Sequence, residues 1–358
     1  MKAKKDRKIF FFLNHPAHYH LFKNIINRFI KDGFAVKVGI VKKDVLEDLV
    51  REEKWDYINL FPEGRRPKNL PIILTALINL FKAEIRLLRA VWKFRPSVIA
   101  GTEGTLAHSG FVLRIPTVLF NEDDTKPTPE NYIFYPFASK LVLPECCDKG
   151  MWQKKRASYP GYHELAYLHP KYFTPDEKVI ERFNPRKEKY FILRLADLSA
   201  SHDVGKKGIS DSLATQIIGL LSRHGRVFIT SERPLKKDFE KFRICIDPRD
   251  IFHALYYAEL LIADSQTMSA EAAVLGTPSL RFNDFVGKLG YLNELERKYE
   301  LTYGIKTADP QKLLDKINEL IKDPKTKTHW RNKRKIMIVE TIDVAEYFYD
   351  VLRVQFTK

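Results

Sequence analysis

The stretch "LLIADSQTMSAEAAVLGTPSLRF" at residues 260–282 decides the fold. Its first residues, LLIA, form an apolar run of the length expected for a buried strand. SQTM then turns tightly, and SAEAAVLG has helical character with Gly276 placed as its stop. Pro278 opens a further apolar run, so the segment reads strand, helix, strand. The free N–H groups at the helix start, around Gln266, Thr267, Met268 and Ser269, form an anion site suited to a diphosphate. Glu271 lies just inside the first turns, where a carboxylate can accept two hydrogen bonds from the vicinal hydroxyls of a ribose. A second reading fits the same residues: Ser265 or Thr267 caps the helix and Glu271 complements its dipole.

Working outward, the same alternation recurs. Upstream lie YFILRL (190–195), the helical DSLATQIIGLLSRHG, VFITS, FRICI and the helical DIFHALYYA. The first half alternates as well: KIFFFL, the helical HLFKNIINRFIKDG closed by Gly33, AVKVGIV (35–41), KDVLEDLVREE, DYINL, SVIAG (97–101), IPTVLFN and SKLVLP (139–144). Such alternation predicts βα units and parallel sheets with helices on both faces. Residues 145–190 break the rhythm and are rich in proline, as a linker would be. The expected organisation is an N-terminal Rossmann-like acceptor domain (1–165), a linker (166–189), a C-terminal Rossmann-like nucleotide-sugar domain (190–335) and a closing helix (336–358) that packs back on the first domain. Two doubly wound halves imply a ligand cleft facing the carboxyl ends of their strands.

The turn after the first strand, NHPAHYH, holds Asn14, His15, His18 and His20. Three readings are open for the imidazoles. Two could face one metal, but no HxxxH or CxxC spacing supplies further ligands, so no metal is expected. They could satisfy backbone groups in a structural turn. One could act as a base, because imidazole titrates near neutrality and the turn sits at a strand's carboxyl end. In the second half, ADLSASHDVGKKG (196–208) follows a strand; Gly205 and Gly208 allow tight turns, and Arg194, Lys206 and Lys207 add positive charge for a phosphate.

Charge is uneven. The formal net charge is +16, and residues 1–100, with 21 Lys and Arg against 10 Asp and Glu, hold +11 of it. An anionic partner suits that excess: a phosphorylated ligand, an anionic lipid surface or nucleic acid. No RNP, KH or zinc-finger signature supports nucleic acid. In segment 70–95, Lys82, Arg86, Arg89 and Lys93 fall on one helical face beside apolar residues, as in a helix lying on an anionic membrane; an interdomain or core helix with a solvated face fits equally. The longest apolar segment, LPIILTALINLF (70–81), is too short to span a bilayer, and the apolar run near the start is too short for a signal core. Three cysteines, Cys146, Cys147 and Cys245, imply no disulfide framework and favour a reducing, cytoplasmic setting, peripheral at the inner face of the membrane if segment 70–95 binds lipid.

The segment DSQTMSAEAAVLGTPSL resembles the nucleotide-binding motif of GT-B enzymes, the nucleotide-sugar glycosyltransferases and UDP-GlcNAc 2-epimerases. The resemblance implies that Ser265 contacts phosphate and Glu271, six residues on, holds the ribose. NHPAHYHLFKNIINRFIKDGFAVKVGI resembles the first strand-loop-helix of the lipid-linked peptidoglycan GlcNAc transferases, which places His18 at their loop histidine; their glycine-rich loop is here NHPAH. PSVIAGTEGTLAHSGFVLRIPTVLFNEDD resembles the next landmark, with Glu103 and Glu122 matching the acidic pair of the epimerases loosely. His202 is similar to the phosphate-side or leaving-group histidine of the epimerases, and Ser231 and Glu232 in ITSERP stand where GT-B folds flank the base. Most of the chain resembles the DUF354 family through NHPAHYHLFKN, GYHELAYLHP, SASHDVGKKG, SQTMSAEAAVLGTPSLR and GYLNELERKYEL. The function is implied by the GT-B resemblance and not by DUF354: metal-independent transfer of a sugar from a nucleotide-diphosphate donor, with UDP the expected nucleotide, to a glycan or lipid-linked acceptor. His18 would be the base, and no cofactor is implied. A UDP-GlcNAc 2-epimerase using Glu103, Glu122 and His202 is the second reading, and a non-enzymatic nucleic-acid-binding protein the third.

Overall fold

The computed structural model describes residues 7–43, 45–62, 72–124, 131–147, 150–197 and 207–357. They form two compact units. One comprises Met1–Tyr167 together with Ile342–Lys358, and the other Leu168–Thr341.

The first unit is built on a seven-stranded sheet. Its strands are β1 (Lys8–Leu13), β2 (Ala35–Val41), β3 (Tyr57–Phe61), β4 (Val98–Gly101), β5 (Thr117–Phe120), β6 (Lys140–Pro144) and β7 (Arg156–Tyr159). The order is β3-β2-β1-β4-β5-β6-β7, with parallel pairing throughout. KIFFFL makes a central strand because both its faces are covered. Phe10 and Phe12 enter the core beneath helix Ile72–Phe94, with Leu87 and Val91. Phe11 points the other way, its ring 5.5 Å from Phe22 and 6.2 Å from Phe29 on helix Pro16–Lys31. The closing helix Val344–Arg353 belongs to this layer: Tyr349 stacks 4.6 Å from Phe29, and Phe348 lies 4.5 Å from Phe120. β7 lies inside the proline-rich stretch 145–190, ahead of the expected linker at 166–189. It is a short edge strand with a half-exposed pattern, so it lacks the apolar run that reveals the central strands.

The second unit has a five-stranded parallel sheet of order β12-β11-β10-β8-β9. The strands are β8 (Tyr190–Leu195), β9 (Arg226–Ser231), β10 (Leu260–Ala263), β11 (Ser279–Phe282) and β12 (Tyr303–Ile305). FRICI is not a strand. Only Arg243 bridges to Ile229, between a 3-10 turn at Lys237–Phe242 and another at Pro248–Asp250 that leave no room for a ladder.

In each sheet the chain reverses direction of growth once: between β1 and β4 in the first, and between β8 and β10 in the second. The loops leaving those strands diverge onto opposite faces, which opens a crevice at their carboxyl ends.

Candidate functional site

In the first unit the crevice is framed by residues following β1 and β4. Pro16 starts a helix, where its missing N–H costs nothing. His15 is the N-cap: its Nδ1 accepts a hydrogen bond from Ala17 N at 3.1 Å. His18 lies one turn on. The Asn14 N–H approaches its Nδ1 at 3.4 Å, and Thr102 Oγ1 sits 3.0 Å from both ring nitrogens. Asn14 Nδ2 donates to Glu103 Oε2. This join across the switch point needs close backbones. A Cβ at Gly101, the last residue of β4, would stand 2.9 Å from Phe12 O and 2.5 Å from Leu106 Cδ1. Burial, and after it the neighbouring basic groups His15, His163 and Lys43, drive His18 well below the usual imidazole pKa, so it is neutral at physiological pH. His20 instead packs its ring 5.0 Å from Tyr19 and 5.6 Å from Tyr167; burial lowers its pKa to about 3.

Glu122 follows β5. Asn121 Oδ1 accepts from Glu122 N at 2.8 Å and Asp123 N at 3.0 Å, which fixes the turn. Cys147 Sγ reaches Glu122 O at 2.9 Å. Glu122 Oε2 lies 3.4 Å from Nδ1 of His163, a residue just beyond β7. Burial lowers His163 to about 3, so it meets Glu122 as a neutral ring. Its Nε2 is buried and has no hydrogen-bond partner among the described residues. The first unit thus gathers Asn14, His18, Thr102 and Glu103 at the switch point, and Glu122 with His163 beyond β5 and β7. Among the described residues no group of three or more His, Cys, Asp or Glu is arranged to hold a metal ion.

In the second unit Ser265 caps helix Gln266–Leu275, its Oγ accepting from Met268 N at 3.4 Å. Gln266 and Thr267 are half-buried in the first turn, whereas Met268 and Glu271 are buried. Arg194, near the end of β8, donates to Thr230 Oγ1 at 2.9 Å and pairs with Glu232. Glu232 also accepts from Asp197 N at 3.1 Å. Ser231 Oγ is engaged locally, donating to Arg233 O at 2.7 Å. His202 and Gly205 lie outside the described residues. Asp264, the residue after β10, accepts from two backbone N–H groups. Asp264 Oδ1 accepts from Ala196 N at 2.6 Å and Oδ2 from Ile209 N at 3.1 Å. Burial raises its carboxyl to about 6 against those bonds.

The expected basic face of segment 70–95 changes in one member. Arg86 turns inward, donating to Leu60 O at 2.7 Å with its guanidinium 4.7 Å over the Phe61 ring. Lys82, Arg89 and Lys93 stay exposed. Helix Ile72–Phe94 leans on β3, and a half-buried arginine there can stack on an aromatic ring and satisfy a carbonyl at once. No helix among the described residues is long and apolar enough to cross a membrane.

Three residues of these clusters escape a reading by motif: Thr102, His163 and Asp264. Thr102 adjoins Glu103 but carries no charge to attract notice. His163 follows a strand that is not legible as one. Asp264 ends the apolar run LLIAD, and a lone acid closing a buried strand is the signal that marks it.

A profile of the family described as "Protein of unknown function (DUF354)" matches residues 7–342. The chain belongs to this family. A relative described as an uncharacterised protein, MJ0665 of Methanocaldococcus jannaschii, is 22% identical over 300 residues, covering 80% of this chain and 85% of its own. Among solved structures, a UDP-GlcNAc 2-epimerase of the same organism, in complex with UDP-GlcNAc and UDP, superposes with a TM-score of 0.64 at 14% identity, over 92% of this chain and 99% of that one. MurG of Acinetobacter baumannii gives 0.59 at 12% identity over 97% and 99%. The glycotransferase of kitacinnamycin gives 0.63 at 11% over 98% and 99%. The DUF354 chain therefore has the GT-B fold, with two Rossmann-like units, and its structural neighbours include both glycosyltransferases and UDP-GlcNAc 2-epimerases.

Proposed function

We propose that this protein is an enzyme that transfers a sugar from a nucleotide-diphosphate donor, a UDP-sugar by preference, to a hydroxyl of a glycan or lipid-linked acceptor. The observation that carries the reading is His18: a neutral imidazole at the switch point of the first sheet, held by Asn14 and Thr102. The acceptor oxygen forms a bond to the anomeric carbon as the bond from that carbon to the diphosphate breaks. The acceptor proton passes to a ring nitrogen of His18. In the second unit the start of helix Gln266–Leu275 would meet the departing diphosphate with its free N–H groups, and Glu271 would hold the ribose. Charge on the leaving group is met by backbone dipoles and basic side chains, so the reaction needs no metal.

A second reading is favoured by one observation. Glu122 pairs with His163 in the same unit that joins Glu103 to Asn14, which is more proton-handling capacity than a single deprotonation uses. A UDP-GlcNAc 2-epimerase would use it. Incubation with UDP-GlcNAc alone separates the two. A transferase leaves the donor's configuration unchanged, whereas a mannosamine product seen by NMR establishes the epimerase and displaces transfer. Glu271→Ala should weaken UDP binding by about 1.5–3 kcal/mol, the worth of hydrogen bonds to a charged group. Unchanged affinity by calorimetry would remove Glu271 from the site.

A further inference from the structure

The first unit exposes a group of large apolar side chains away from the switch point. Phe81 is 68% exposed, Phe111 and Val112 are each 63%, and Ile133 is 57%. They come from three segments that meet at His108. Its Nδ1 lies 2.7 Å from Glu84 Oε1 on helix Ile72–Phe94, and its Nε2 lies 3.3 Å from Ile133 O. The Phe137 ring stands edge-on 4.9 Å from His108 and 5.0 Å from Phe111. Phe81 precedes Glu84 by three residues, and Phe111 and Val112 follow His108 by three and four, so helical geometry turns them all toward this junction. Exposed apolar side chains grouped in this way at one junction, rather than scattered singly, mark interaction surfaces.

Cations border it. Lys82 adjoins Phe81; Lys82, Arg89 and Lys93 share a helical face; Arg114 follows Val112 closely at the end of its helix. All four are exposed, and none has an ion-pair partner among the described residues. Charge chooses the occupant. A second copy of this chain, docked symmetrically, would bring these unpaired cations against their own equivalents. An anionic bilayer offers hydrocarbon to the rings and negative headgroups to the cations.

We propose that this face seats the protein on the surface of an anionic lipid bilayer. The inference stands apart from the catalytic reading, since it uses none of the residues assigned to it. The full chain is mixed with vesicles of phosphatidylcholine, or of phosphatidylcholine with phosphatidylglycerol, and sedimented. Three proteins are compared: wild type, the apolar double variant Phe111→Ser/Ile133→Ser, and the charge double variant Lys82→Glu/Lys93→Glu. These side chains are exposed, so circular dichroism and melting temperature should be unchanged. Wild type is expected to sediment with the anionic vesicles far more than with the neutral ones, and less as salt rises. Each basic residue lost should weaken binding about fivefold, so the charge variant falls at least ~25-fold; the apolar variant falls on the order of tenfold. The proposal is overturned if wild type stays in the supernatant, if it binds neutral and anionic vesicles alike, or if the apolar variant binds as well as wild type. Gel filtration supplies a further opposing result: a dimer that Phe111→Ser/Ile133→Ser converts to monomer, in a protein without vesicle affinity, assigns the face to a second copy.

Discussion

His15, His18 and His20 sit in one short turn and meet three different environments. His15 caps a helix, His18 stands at the switch point, and His20 packs between tyrosines. Their substitutions should therefore diverge. His15→Ala removes the acceptor for Ala17 N and should cost roughly 1 kcal/mol of stability, read by chemical denaturation, with activity in the folded fraction near normal. His18→Ala should leave stability close to wild type and lower turnover by about 10²–10⁴-fold, the usual worth of a general base. The pH dependence adds a sharper test. Because burial and neighbouring basic groups hold the His18 pKa well below the usual imidazole value, the basic form persists into acid. The acid limb of kcat/KM should thus lie clearly below pH ~6.5, the ordinary histidine pKa. A limb at that ordinary value, or a His18→Ala enzyme with wild-type turnover, would remove His18 as the base.

At the scale of elements, helix Gln266–Leu275 shows how a short helix is held so that its start is positioned. Ser265 caps one end, and Gly276 ends the other in the left-handed region, at φ 73°. Its N–H reaches back to the Ala273 carbonyl at 2.9 Å, and Thr277 N reaches Ala272 O at 2.8 Å. A Cβ on Gly276 would come within 2.8 Å of Arg334 Cδ, while Arg334 Nε caps the same turn through Val274 O at 2.7 Å. Gly276→Ala should therefore destabilise the Leu168–Thr341 unit by about 1–2 kcal/mol, from the left-handed backbone alone, with the crowding of Arg334 adding to it. A thermal melt unchanged from wild type would show that this terminus relaxes freely. The helix start also shows why its two readings from sequence are compatible. A serine oxygen that accepts from one N–H leaves the others of the first turn to a ligand.

For the whole molecule, the largest shifts among buried acids and histidines differ in sign between the units, although burial lowers His253 of the second unit too. His20 and His163, both in the Met1–Tyr167 unit, have folded values near 3. Below pH ~6.5 the unfolded chain binds protons that the folded unit does not, so stability is complete above that pH and is lost as pH falls toward 3. The slope is at most about 1.4 kcal/mol per pH unit for each histidine. Asp264, in the Leu168–Thr341 unit, is raised to about 6. Between pH ~6 and its ordinary ~3.9 the folded state holds the extra proton, so its contribution rises as pH falls. Lowering pH from 7 to 5 should therefore loosen the first unit relative to the second. Hydrogen exchange read on peptides of each unit checks this; equal loss of protection in both would refute it.

The sequence by itself determined the alternation of strand and helix, hence two parallel sheets, because buried parallel strands need continuous apolar runs and leave them in the text at 8–13, 190–195 and 260–263. It also marked Ser265, Glu271 and Gly276, since a helix start and stop are local events. It did not show β7, whose edge position removes the need for an apolar run. Nor did it show which polar residues converge. His18 meets Thr102 from 84 residues away, and Asn14 meets Glu103 from 89. Only strand order decides such encounters: β4, not β2, lies beside β1 on the crevice side, and no local pattern in either segment records its neighbour in the sheet.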